Sequence, residues 1–554
     1  MFNLRLRVIA AIFIISLPLL AKAEYGGDAD KNRRGRDIDS MKLEYANWHN
    51  LDPQENNVQG TSVDRAYSTV LKKKTSKTIV VAIIDSGIDI DHEDLKGSIW
   101  TNKGEIPGNG IDDDHNGYVD DVHGWNFLGN ADGRNIDHEA LEFTRLVRKY
   151  KDKFEGKKRS EIPKDEVSEY DIYEAAQKEY TAKKEEADHM AQMLKVFDMI
   201  YQPADSIVTA FLGKKDYTID DLKSISSGND TLTEARDFLL DRYEKGFTRS
   251  AFESLKEYSD DRIAYNLNLD YNPRGIIGDD PDNINDSLYG NNDVKGDKPD
   301  HGTHVAGIIA ANRYNNLGIK GIADNVKIMS VRTIPDGDER DKDVVNAIRY
   351  AVDNGAQIIN MSFGKMFSPH KRAVDAAIHY AEKRNVLIIH AAGNDAQDID
   401  KSNSYPTNYY SDSKIPAQNW LTIGASAKED DAHLAADFTN YGRKRVDIFA
   451  PGVNIYSLQP NNTYELKSGT SMACPVVTGV AALLMSYFPQ LSIYEIKDIL
   501  LESGTVYKNQ KVLLPDESQN DKPKMVKFKK LSATGEIVNA YRAVEMAESL
   551  TSSK

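Results

Sequence analysis

The chain is almost without cysteine. Cys474 is the only one in 554 residues, so no internal disulfide forms, although an exported chain would be free to carry one. Stability must come from core burial, with bound metal as the other available source. Cys474 itself sits in an apolar run and reads as a small buried hydrophobe. An excess of basic charge is also missing. There are 70 Lys and Arg against 86 Asp and Glu, a net charge of −16. That disfavours nucleic acid and anionic membranes as main partners and suits a soluble protein that binds cations. Long hydrophobic runs are missing too. The one candidate, Val8 to Leu20, is too short to span a bilayer comfortably. Arg5 and Arg7 precede it and Ala21-Lys-Ala23 follows, the layout of a secretory signal peptide over residues 1–23. The expected product is exported, periplasmic or extracellular, with no membrane span after cleavage. No cysteine follows the run, which argues against a lipid anchor.

What remains is a mixed α/β pattern with one change of character. Residues 24–45 are polar and charged, a flexible leader. Ile79-Val-Val-Ala-Ile-Ile-Asp85 is β-branched and apolar, ends in a carboxylate and is followed by Ser86-Gly87. It reads as a central parallel strand with Asp85 at the edge where α/β sheets bind ligands. From 134 to 272 charged residues dominate, glycine is scarce and apolar residues recur at helical spacing. Tyr173, Ala176, Tyr180, Ala187, Met190, Leu194, Phe197 and Tyr201 form one stripe, which Pro203 is expected to stop. Thr231-Leu-Thr-Glu234 reads as a capping box opening another helix. The segment is therefore an all-helical insertion, its stripe serving as its own core, or else as a lid or partner surface. Beyond it, strands at 326–332, 357–363 and 386–392 alternate with helices at 341–353 and 369–384. Shorter strands follow near 420–426 and 445–449, then helices from Ser471, at 492–503 and at 535–547. Such alternation means a mostly parallel sheet with helices on both faces. The layout is 46–133, the insertion 134–272, a second stretch 273–548 and a tail 549–554.

Three separated pieces carry chemistry. Asp85 ends a buried strand. His301 opens a Gly-flanked apolar helix, His301-Gly-Thr-His-Val-Ala-Gly307. Ser471 follows Gly469-Thr470 and opens another. A serine there is equally an ordinary N-cap when taken alone. With a histidine base and an orienting carboxylate it becomes an acyl-transfer nucleophile. His304, one turn past His301, has no third ligand near it and reads as a core or supporting histidine. The run Asp112, Asp114, Asn116, Tyr118 and Asp120, with Gly117 at the turn, matches the early positions of an oxygen-rich Ca²⁺ loop, though the closing Glu is absent. A structural Ca²⁺ is expected there, with a solvated acidic turn as the alternative.

Asp85-Ser-Gly87, His301 to Gly307 and Gly469-Thr-Ser-Met-Ala473, in that order, resemble the catalytic motifs of the subtilisin-like serine endopeptidases, the subtilases. Ala391-Ala-Gly-Asn394 resembles their oxyanion-hole segment. The resemblance covers roughly 46–130 and 288–547 and implies the subtilisin-like fold. It also implies a secreted peptide hydrolase acting on polypeptides through Asp85, His301 and Ser471 and an acyl-enzyme intermediate. Asn394 would donate to the oxyanion. Ser362, Phe363 and Gly364 would pair with extended substrate, and Ala392 and Gly393 would flank it. Met472 beside the nucleophile makes inactivation by peroxide an expectation. Two departures stand out. The 216 positions between Asp85 and His301 far exceed the family's usual spacing, and the stretch before the catalytic region is too short and polar for the usual inhibitory propeptide. The competing readings are a catalytically silent subtilase-fold binding or scaffold protein, and an esterase, whose Gly-x-Ser-x-Gly elbow is absent around Ser471.

Overall fold

The computed structural model describes residues 46–413, 415–516 and 523–552. The expected signal peptide and leader lie outside them. The chain divides into two compact units, a helical one over Phe143–Tyr271 and a larger one built from the residues on either side. Residues 134–142 thus group with the larger unit.

The larger unit is organised on seven parallel strands: β1 Ile79–Asp85, β2 Gly124–Asn126, β3 Val326–Arg332, β4 Ile358–Met361, β5 Leu387–Ala391, β6 Trp420–Ser426 and β7 Ile448–Pro451. Their order across the sheet is β7-β6-β5-β4-β1-β3-β2. Two short strands extend the β7 edge: Glu536–Ile537 runs parallel to β7, and Thr505–Val506 antiparallel to it in turn. β1 pairs in register with β3 from Ile79↔Val326 to Asp85↔Arg332 and with β4 on its other side. β3 and β4 are consecutive in sequence yet flank β1, so the chain reverses direction across the sheet here. In α/β sheets that reversal leaves a crevice at the C-terminal strand ends, and Asp85 stands there.

Alternation along β1 assigns its two faces. Val81 and Ile83 join the core beneath the helices Asp300–Ala310 and Thr470–Tyr487, while Ala82 and Ile84 join the core beneath Asp341–Asp353 and Lys371–Lys383. Both faces being covered explains the continuous apolar runs. The helix Thr470–Tyr487 is the one described helix long and apolar enough to cross a membrane, and it is 89% buried in the core. A hairpin missed in the sequence, β8 Ile455–Gln459 with β9 Thr463–Lys467, turns at Asn461 and Asn462, both at positive φ that asparagine tolerates. Its Ser457 Oγ donates to the His304 carbonyl at 2.7 Å. The expected helix from Gly535 starts later, at Ala540. Gly535 takes φ 65°, Glu536–Ile537 enters the sheet, and Asn539 Oδ1 accepts from Arg542 N.

In the helical unit the stripe forms as expected on a helix of 46 residues, Val167–Leu212. Met190, Leu194, Phe197 and Tyr201 meet Leu232, Leu239, Phe252 and Leu255 in one buried cluster, so this part of the stripe is the unit's own core. Pro203 does not end the helix. Tyr201, Ala204 and Val208 are all buried, and their packing outweighs the one hydrogen bond that proline removes. The capping box at Thr231 is not used either. Asn229 caps instead, accepting from Leu232 N at 3.2 Å, and Thr231 lies inside the helix Asp230–Glu244.

Candidate active site

Asp85, at the end of β1, is 3% exposed at its side chain. Its Oδ1 accepts the Ser86 N–H at 2.8 Å and the His301 Nδ1–H at 2.7 Å. That second bond sets the histidine: Nδ1 carries the proton, leaving Nε2 free to accept one. His301 is the second residue of its helix and 38% exposed. The helix end reaches Asp85 only because Gly302 has no side chain. A Cβ there would lie 2.2 Å from the Gly87 carbonyl oxygen and 3.2 Å from Asp85 Cβ.

Ser471 is the second residue of Thr470–Tyr487. Its Oγ donates to the Ser362 carbonyl at 3.1 Å, and Ser362 Oγ donates back to the Ser471 carbonyl at 3.1 Å. Asn360, on β4, holds this arrangement from below. Its Nδ2 donates to Ser362 Oγ at 3.0 Å, and its Oδ1 accepts from Thr478 Oγ1 at 2.8 Å and Cys474 Sγ at 3.3 Å. Cys474 is a fully buried structural thiol, as expected; burial pushes it up to about 12, far from a reactive thiolate. Asn360 and Thr478 escaped notice in the sequence because nothing distinguishes a polar residue inside an apolar run until its partners are known.

The orientation of Asn394 follows from one bond. Its side-chain oxygen accepts both Thr470 N–H and Thr470 Oγ1–H at 2.9 Å. A backbone N–H can only donate, so the oxygen must face Thr470 and the NH₂ must face away. Thr470 Oγ1 in turn accepts Gly393 N–H at 3.1 Å. A methyl placed on Gly469 would lie 3.5 Å from Asn394 Nδ2 and 3.6 Å from Ser471 N, so both donors border one small space. Ser471 N belongs to the first helical turn, where N–H groups lack intrahelical acceptors. Two donors and a helix N-terminus around one point can hold an oxyanion. Met472 is 2% exposed, its sulfur 3.7 Å from that same methyl position.

The other site candidates fall close by. Ser362 is buried, Phe363 half-buried and Gly364 exposed, the three residues that run on from β4. Ala392 is buried, with its N–H on the Ile423 carbonyl. Gly393 has φ 100°, and a Cβ there would lie 2.4 Å from Asn440 Nδ2. His304 is a core histidine: fully buried, with Nε2 3.1 Å from the Glu465 carbonyl, and held well below its ordinary pKa by burial.

The acidic loop is arranged differently from a ring of Asp112, Asp114, Asn116, Tyr118 and Asp120. Asp112 accepts Asn116 N–H and Gly117 N–H, while Asp120 accepts the N–H groups of Gly108, Asn109 and Gly110. Their oxygens close turns. Glu105 closes turns as well, accepting the N–H groups of Asp113, Asp114 and Asp120, and together with Asp114 and Asp121 it brings carboxylate oxygens within 4.8 Å of one another. Asn102 Nδ2 donates to Asp114 Oδ2 and to Asp121 Oδ1. Burial raises Asp121 to about 6. Glu105 lies outside the sequence run and was invisible to spacing.

The family described as the subtilase family matches residues 76–522. A thermophilic serine proteinase of Bacillus sp. (strain AK1) is 40% identical over 191 residues, 34% of this chain and 43% of that one. A cell wall-associated protease of Bacillus subtilis (strain 168) is 35% identical over 219 residues, 39% of this chain and 22% of that one. Subtilisin DY of Bacillus licheniformis is 36% identical over 209 residues, 37% of this chain and 70% of that one. The matched stretches thus span less than half of the first two relatives.

Proposed function

The chain belongs to the subtilase family, and on that footing we propose that it is an exported serine endopeptidase. The observation that carries the reading is the 2.7 Å Asp85–His301 bond, made from a helix packed against the one that opens at Ser471 beside an outward-facing Asn394 amide. In this mechanism Ser471 Oγ leaves the Ser362 carbonyl and attacks the scissile carbonyl carbon. His301 Nε2 takes its proton, and Asp85 stabilises the imidazolium. Asn394 Nδ2 and Ser471 N–H donate to the oxyanion. The proton then passes from His301 to the leaving amine, and a water, deprotonated by His301, releases the acyl group. Phe363 and Gly364 offer backbone groups to an extended peptide. A fluorophosphonate probe tests the reading. It is expected to label the wild type at Ser471 and to leave Ser471→Ala unlabelled; folded wild type that stays unlabelled would support the silent-scaffold alternative instead.

Activity is expected to be lost in acid, since an imidazole base must be neutral to accept a proton. A flat kcat/KM profile from pH 5 to 9 would count against a histidine base. Peroxide is expected to lower turnover in step with the one-oxygen mass gain at Met472, because the sulfoxide would set a polar oxygen beside the oxyanion donors.

The oxygen-only donor set of Glu105, Asp114 and Asp121 suits a hard dication, and structural Ca²⁺ is the proposed occupant. It would offset three converging carboxylates without entering the chemistry. A chelator is then expected to lower the unfolding midpoint by several degrees, with Ca²⁺ restoring it. An unchanged midpoint would remove the proposal.

A further inference from the structure

The three residues that run on from β4 are held at both ends. At the near end Asn360 Nδ2 donates to Ser362 Oγ at 3.0 Å, and Ser362 Oγ donates to the Ser471 carbonyl. At the far end Lys365 pairs with Tyr405 through both backbone groups. Its N–H donates to the Tyr405 carbonyl at 2.8 Å, and its carbonyl accepts the Tyr405 N–H at 2.9 Å. Between these points Phe363 is half-buried, while Gly364 is exposed and has no side chain to anchor it. Where the Gly364 backbone lies is therefore set by its neighbour.

The Lys365 side chain is 1% exposed. Its Nζ lies 2.8 Å from Glu142 Oε2, from the Glu339 carbonyl oxygen and from Asp341 Oδ1. Both carboxylates are buried with it. Asp341 is the first residue of the helix Asp341–Asp353, and its other oxygen accepts Ser368 Oγ–H at 2.9 Å and His370 N–H at 2.7 Å. One carboxylate thus holds the chain at 365, 368 and 370. Glu142 is fixed in turn, its N–H donating to Asp338 Oδ2 at 2.8 Å. Desolvation offsets most of the attraction inside a buried ion cluster, so stability is a weak reason to place a lysine here. What the cluster supplies is direction. An ammonium needs its acceptors at fixed positions, and a satisfied buried network rigidifies the segments it joins.

We propose that Lys365 is a positioning residue for the peptide substrate. Its buried bonds fix the Gly364 backbone where an extended peptide pairs with it, and the lysine itself does not touch substrate. The inference rests on the endopeptidase reading and adds a residue to the strand that binds the peptide. A misplacement of about 1 Å at such a strand is enough to cost up to about a hundredfold. A substrate that ends short of Gly364 would not register it.

The test uses two substrates, a quenched peptide with several residues on its acyl side and an acetylated single-residue ester, which has nothing to lay along Gly364. Lys365→Met keeps an unbranched side chain and removes the ammonium. It is expected to lower the peptide-to-ester ratio of kcat/KM about tenfold or more. General damage around Ser471 would lower both rates and leave the ratio alone. Lys365→Met strips the buried Glu142 and Asp341 of their cation, so the double variant Lys365→Met/Glu142→Gln is measured beside it, with a thermal melt of each. An unchanged ratio in either folded variant would overturn the inference while leaving the endopeptidase reading standing. So would failure of both variants to fold, which would make Lys365 a stability residue alone. A wild type that a fluorophosphonate does not label and that cleaves neither substrate would overturn both.

Discussion

Ser471→Ala is expected to lower kcat about a millionfold, a magnitude known from the nucleophile of subtilisin, a member of the same family. The loss should fall on turnover and leave binding in place. The hydroxyl reaches the Ser362 carbonyl, but the helix is pinned separately by Thr478 and Cys474 on Asn360. The variant should therefore keep its unfolding midpoint and its affinity for a peptide inhibitor. Some acceleration over water should survive, because Asn394 and the helix N-terminus remain. Single-turnover hydrolysis of a peptide, measured beside a thermal melt, checks this. A Ser471→Ala protein with more than about a tenth of wild-type turnover would mean that the attacking atom lies elsewhere.

Removing the side-chain donor of Asn394 is expected to cost roughly 10²–10³ in kcat with little change in KM, again a magnitude measured in subtilisin. The interaction exists only once the carbonyl oxygen has gained charge, so binding of the ground state does not register it. Asn394 also accepts from Thr470, and a plain truncation mixes two effects. Asn394→Asp separates them. An aspartate keeps both acceptors for Thr470 but offers a negative charge where the amide donated. It should fold like wild type and turn over at least as slowly as Asn394→Ala. If Asn394→Asp retained most of its activity, the side chain would be only a brace for Thr470.

How much of this could be read from the chain depended on whether the signal was local. The Asp85 strand, the two Gly-flanked helices and the β–α alternation are local patterns, and the elements at 326–332, 341–353 and 420–426 fall where the pattern puts them. The stripe from Tyr173 to Tyr201 was equally legible, because a helical period is fixed by the backbone. Pro203 and Thr231 were misread for the same reason. Local rules stop a helix at proline and start one at a capping box, but packing around Tyr201 and Val208 and the competing cap Asn229 decide otherwise. The hairpin Ile455–Lys467 carried only a weak turn signal at Asn461-Asn462, yet it lies against the His301 helix: a Cβ on Gly307 would stand 2.4 Å from Ser457 Oγ.

The sequence by itself determined which groups are proposed to react. Asp85, His301 and Ser471 each lie in a local motif, and it is the three motifs in order that mark them, since Ser471 alone is equally an N-cap. Only the tertiary structure decided what holds them. Thr470 turns Asn394, and Asn360 holds the Ser471 helix through Thr478. Each of these is a pairing of residues far apart in the chain. A hydrogen bond or an ion pair depends on distance in space, and a single sequence records distance only along the backbone.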